Sequence, residues 1–102
     1  MSEELPFLEK KEITFEQIIE ALKFGIDKPE VFQLLQEWTK QEEKKVVTSD
    51  DRINLDRKRA RVYFEAGYID EAINSFEAAL EQAWNEQRIG LYNEISAEME
   101  KL

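Results

Sequence analysis

Apolar residues recur at helical spacing through most of the chain, and the breaks between them divide it into five segments. Residues 1–12 show no such period and read as a flexible N-terminal arm with a small apolar cluster at Leu5, Phe7 and Leu8. Thr14 opens the first helix as a capping-box residue with Gln17, and Phe15, Ile18, Ile19, Leu22 and Ile26 form one stripe. Asp27, with Pro29 just inside and Glu30 three residues on, starts a second helix whose stripe is Val31, Leu34, Leu35 and Trp38. The polar run TKQEEKK ends it, with Glu42, Glu43, Lys44 and Lys45 expected as a solvated helix end. The spacing therefore predicts a helical hairpin over residues 13–45. VVTSD, residues 46–50, is a β-branched and small-polar break, after which Ser49 or Asp50 is expected to cap a third helix running to Ala66.

Gly67 stands between that helix and the next. Helices commonly end with a residue in the left-handed conformation, which glycine adopts without steric cost. Asp70 and Glu71 suit the positive end of the following helix. Its apolar face is Ala72, Ile73, Phe76, Ala79, Leu80 and Ala83. A three-residue turn between two such helices makes an antiparallel hairpin over residues 51–84, its helices at 51–66 and 69–83. Ala60 on one helix and Ala72 and Ala79 on the other let the axes approach closely, with Tyr63 and Phe76 filling space to either side. A last amphipathic helix over about 86–101 carries Tyr92, Ile95, Met99 and Leu102 on one stripe, with Glu94, Glu98, Glu100 and Lys101 elsewhere.

Ala60, Tyr63, Gly67, Ala72, Phe76 and Ala79 together resemble a tetratricopeptide repeat, the helix–turn–helix unit of about 34 residues with an A-x3-F segment in its second helix. The resemblance covers about residues 53–86. The chain departs from the pattern at Asp56 and Arg59, where the family prefers Trp and Leu, and at Trp84, where it usually has Pro. The first hairpin has the length of a repeat but lacks the Ala and Phe spacing. The resemblance implies an all-α fold of about five helices, stacked as a right-handed α-solenoid with a C-terminal capping helix whose outer face is polar. In that family the first helix of each pair lines a concave groove, so the implied partner-binding positions are Asn54, Arg57, Lys58, Arg61, Phe64 and Glu65.

Composition narrows the function. A chain of 102 residues, 42 % hydrophobic and 36 % charged, makes one small domain, taken as residues 13–102. There is no cysteine and no histidine, which removes disulfides, thiolate metal sites and the commonest general base. Ser2, Ser49, Ser75 and Ser96 have no histidine to activate them, and the sequence holds no HExxH, nucleophile elbow, P-loop or dinucleotide fingerprint. No catalysis, cofactor or metal is expected. No membrane span or signal peptide is visible, so a cytoplasmic protein is expected. Trp38 and Trp84 are expected as partly buried packing residues.

The net charge of −9 argues against nucleic-acid binding. Yet residues 52–61, RINLDRKRAR, carry five basic groups and one acidic, a local +4 on a body of −13. Arg57, Arg61 and Phe64 lie at i, i+4 and i+7, one stripe suited to an acidic peptide or a terminal carboxylate. Alternatively, the cations pair with the chain's own carboxylates. The leading expectation is a non-catalytic adaptor that binds a protein or acidic peptide through a helical groove. The alternative is a self-associating structural subunit, a homodimer for instance. An acidic mimic of nucleic acid is disfavoured, because a decoy gains nothing from a basic segment.

Overall fold

A computed structural model describes residues 12–102, and its regular structure is helical throughout: α1 Phe15–Phe24, α2 Pro29–Glu43, α3 Ser49–Glu65, α4 Ile69–Asn85 and α5 Ile89–Met99. Leu5, Phe7 and Leu8 lie outside the described residues. The fold is all-α, with the five helices expected, and no helix is long and apolar enough to cross a membrane among the described residues.

Helix starts follow local hydrogen-bonding chemistry. At α1 the Thr14 hydroxyl accepts from the Gln17 backbone N–H at 3.1 Å, and the Gln17 side-chain Oε1 accepts from the Thr14 N–H at 2.8 Å. The same reciprocal box opens α3, but on Thr48 with Asp51, not on Ser49 or Asp50. The extended backbone of Thr48 aims its hydroxyl at the Asp51 N–H, and the Asp51 carboxylate accepts from both Val47 and Thr48. Asp27 does not cap α2. Lys28 holds that position with no side-chain bond, because Pro29 fills the first helical site and sets the register one residue later. The last helix begins at Ile89, not near 86, since Glu86 to Arg88 form the turn before it.

The two turns on either side of α4 are built alike. After α3, the Gly67 N–H donates to the Phe64 carbonyl at 3.0 Å and the Tyr68 N–H to the Tyr63 carbonyl at 2.8 Å. After α4, Gln87 N–H donates to Trp84 at 3.0 Å and Arg88 N–H to Ala83 at 2.8 Å. Both are the double closure that satisfies the last carbonyls of a helix, and both need a left-handed residue at the bend. Gly67 supplies it at φ +95 without strain, whereas Gln87 adopts φ +58 against the contact between its Cβ and backbone.

Packing divides the molecule into two cores that meet at α3. One gathers Ile18 and Leu22 of α1, Val31, Leu35 and Trp38 of α2, and Val62 of α3. The other gathers Ile53 and Ala60 of α3, Phe76, Ala79 and Ala83 of α4, and Ile95 of α5. Ala60, Ala72 and Ala79 are all fully buried, and α3 and α4 make the most extensive helix contact. Phe76 fills the second core and Tyr63 borders the first. Trp38 is buried as expected, but Trp84 is 62 % exposed, because it follows Ala83 on α4 and points away from that helix's buried face.

Polar contacts fix how the first hairpin sits on α3. The Tyr68 hydroxyl donates to the Leu22 carbonyl at 2.7 Å and accepts from the Ile26 N–H at 3.0 Å, which ties the α3–α4 turn to the end of α1. Gln41 makes two hydrogen bonds to the backbone of Ile13, at 2.8 and 3.0 Å, and so holds the start of α1 against the end of α2. Asp56 and Arg59, the departures from the repeat pattern, form an i, i+3 pair at 3.7 Å. Arg59 also lines an opening of about 390 Å³ with Phe32, Leu35 and Tyr63, so α2 and α3 are not in close apolar contact there.

Two measurements test this account. In urea unfolding, Gly67→Val is expected to cost about 1–3 kcal/mol and Gln87→Gly to add about 0.5–1 kcal/mol, since both positions need positive φ. Equal signs for the two would refute the paired-turn description. Tyr68→Phe is expected to cost about 1–2 kcal/mol by leaving the Ile26 N–H without its partner, while the Leu22 carbonyl keeps the Gly25 N–H at 3.0 Å. An unchanged midpoint would show that the hydroxyl does not join the two hairpins.

Candidate functional site

The basic segment on α3 is the natural starting point, and every one of its five cations has a carboxylate of this chain beside it. Arg52 lies 3.6 Å from Glu43, Lys58 lies 2.8 Å from Glu42, and Arg59 pairs with Asp56 within the helix. Arg57 reaches Glu98 at 3.1 Å and Glu94 at 3.4 Å. Arg61 donates to Glu98 through Nε. The spacing explains the match: Arg57 and Arg61 are four residues apart on α3, as Glu94 and Glu98 are on α5, so two neighbouring helices present complementary rows.

Two of these contacts are shielded from water. Glu42 is only 7 % exposed, and so is not part of a solvated helix end. Burial alone would raise its pKa. Hydrogen bonds from Lys58, Gln41 and Lys45, with the Lys58 charge, outweigh burial and hold the group at about 2. Glu98 shows the same contest, its carboxyl pushed up by burial but held below the usual range by Arg61 and Arg57. It therefore belongs to the interface between α5 and α3, not to the polar outer face of a capping helix. Arg57 is itself 14 % exposed, enclosed by Asn54, Glu94 and Glu98.

The six groove positions implied by the repeat resemblance fall into three places. Asn54 and Lys58 line a small recess of about 150 Å³ with Glu42, Lys45, Asp51 and Leu55. Arg57 is covered by the α5 carboxylates. Arg61, Phe64 and Glu65 come together on a recess of about 300 Å³ that also takes Phe15 from α1, Phe76 from α4, and Glu98, Lys101 and Leu102 from the α5 end. This second recess has an aromatic and aliphatic floor with charge at its edge. Phe64 is 37 % exposed at its rim. Arg61 is half exposed, and its two terminal nitrogens donate to no carboxylate among the described residues.

Sequence reading missed Phe15, Glu98, Lys101 and Leu102 as members of this site. The i, i+4 carboxylates of α5 opposite the i, i+4 guanidiniums of α3 were a visible signal for Glu98. Phe15 had none, because its place follows from how α1 packs across the end of α3. No protein-family model, curated protein or solved structure matches the chain.

The electrostatics give a pH dependence. Glu42 and Glu98 both have folded pKa values below their unfolded ones, so their stabilisation is complete above about pH 5 and is lost as pH falls through the lowered pKa of each, toward about 2 for Glu42 alone. For Glu42, a shift from 4.5 to about 2 corresponds to roughly 3 kcal/mol, at about 1.4 kcal/mol per unit. Glu42→Gln is therefore expected to be less stable than wild type at pH 7, and to lose less stability between pH 5 and pH 2. Parallel pH profiles for the two proteins would show that Glu42 is not the coupled group.

Proposed function

We propose that the chain is a non-catalytic protein-interaction module of tetratricopeptide-repeat-like build, and that it holds a short acidic segment of a partner in the recess bounded by Phe15, Arg61, Phe64 and Leu102. The observation that carries the reading is the origin of the recess walls. Apart from Phe76 of α4 at the bottom, they come from α1, α3 and the C-terminal end of α5, the positions of the first helix of each pair, which lines the groove in the family that the chain resembles. Exposed aromatic surface beside a guanidinium suits a ligand that has a carboxylate next to an apolar side chain. Arg61 is the expected carboxylate contact and Phe64 the apolar one. Arg57 supports the site from behind, through Glu98, and is not itself a ligand contact.

Selection from a random peptide library tests this reading. Enriched peptides are expected to join Asp or Glu to a Leu or Phe. Arg61→Ala and Phe64→Ala are each expected to weaken them by about tenfold while the protein remains folded. Arg57→Ala is instead expected to lower stability by about 1–3 kcal/mol, because it leaves Glu98 partly buried beside fewer donors. Peptides that ignore both Arg61 and Phe64 would overturn the assignment.

Self-association is the second reading, and one observation favours it. Trp84 is mostly exposed and packs on Tyr92, with ring centroids 5.5 Å apart, beside Leu80 and Glu81. Sedimentation of wild type and Trp84→Ala separates the two readings: a dimer lost in the variant supports a structural subunit.

A further inference from the structure

A second opening, larger than the recess on α3, lies on the first hairpin and shares no lining residue with that recess. It is a groove of about 700 Å³ between α1 and α2. Its floor is Ala21, Phe24, Val31 and Leu34, and Phe24 is one of the most exposed large apolar side chains in the chain. Glu16 and Glu20 stand along the α1 side and Glu30 on the α2 side, with Gln17 between and Lys28 at the end near Phe24. Three carboxylates thus face one ammonium around an apolar floor. Among the described residues Glu20 pairs with Lys23 at 3.4 Å, and both members of that pair are exposed.

We infer that this groove is a docking site for a basic amphipathic helix of a partner protein. Geometry and charge both select that occupant. Two antiparallel helices leave between them a trough into which the side chains of a third can interlock. The α1 wall from Gln17 to Phe24 is about 10 Å long, the distance covered by apolar residues at i, i+4 and i+7 of one helix. Such a helix would place leucine-like side chains on Ala21, Phe24, Val31 and Leu34, while its flanking Lys or Arg residues meet Glu16, Glu20 and Glu30. An acidic helix would set its charges against those same three carboxylates. The two surfaces then have opposite tastes: the α3 recess for an acidic segment, and the α1–α2 groove for a basic one.

Fluorescence anisotropy with the full chain and two labelled synthetic helices tests the inference. Both probes are roughly five turns long with leucine at the anchor positions. One has lysine at its polar positions, the other glutamate. The lysine peptide is expected to bind the wild type, more weakly as salt rises, and the glutamate peptide not to bind. Ala21→Gln fills the floor and is expected to abolish binding. Glu16→Gln combined with Glu20→Lys changes only exposed side chains, so it reports even if Ala21→Gln disturbs folding. It is expected to weaken the lysine peptide by about tenfold and turn preference toward the glutamate peptide. Phe64→Ala, in the other recess, is expected to leave lysine-peptide binding unchanged. Equal binding of the two peptides by wild type, or a lysine peptide indifferent to both groove variants, would overturn the inference. So would a wild-type dimer that Ala21→Gln dissociates, since the occupant would then be a second copy.

Discussion

The structure depends on α3 being buried from two sides at once. Ile53 and Ala60 belong to the core shared with α4 and α5, and Val62 to the core shared with α1 and α2. A helix in that position cannot keep a continuous charged face in water, yet it carries five cations. Where these cations are covered they lose hydration that a carboxylate must offset, and all but Arg59, which pairs with Asp56 within α3, find it on a neighbouring element. Glu42 and Glu43 on α2, and Glu94 and Glu98 on α5, meet that requirement. The basic segment thus connects helices on both of its sides.

That constraint explains which parts of the fold could be read in advance. α1, α2 and α4 each bury one stripe, and their apolar periodicity located them to within a few residues. α3 buries residues on opposite faces, so its apolar positions do not form a single stripe and only Ala60 and Tyr63 stood out. The capping errors were small and local. Thr48, Ser49 and Asp50 are all able to cap, and the choice fell to the one whose third neighbour, Asp51, could return the hydrogen bond. Gln87 left no mark at all, because nothing in its side chain announces a left-handed bend; the backbone accepts the strain to complete the same closure that Gly67 makes freely.

The candidate site was legible in part for a related reason. The repeat resemblance pointed to α3, and three of its six positions, Arg61, Phe64 and Glu65, line one recess. Helical periodicity says which residues share a face, but not which neighbour covers part of that face. Arg57 lies on the same stripe as Arg61 and is enclosed, because Glu94 and Glu98 of α5 and Asn54 of α3 close around its guanidinium. Tyr68 was invisible for the same kind of reason. A tyrosine beside a turn glycine has many possible partners, and only the packing of the hairpins brings it to Leu22 and Ile26.

Glu98 sets the character of the recess more than either arginine does. It accepts from Arg57 and from the Nε of Arg61, so it joins α5 to α3 and at the same time fixes the plane of the Arg61 guanidinium. A guanidinium held this way has its terminal nitrogens oriented before any ligand arrives, which reduces the ordering cost of binding. The same carboxylate lies close to where an incoming acidic group would sit, and its repulsion is offset by Arg57, Arg61 and Lys101 around it. Under the function proposed above, the apolar floor of Phe15, Phe64 and Leu102 would supply most of the affinity, while charge would decide which segments are accepted. A partner would be recognised by an apolar residue first and by the acid beside it second.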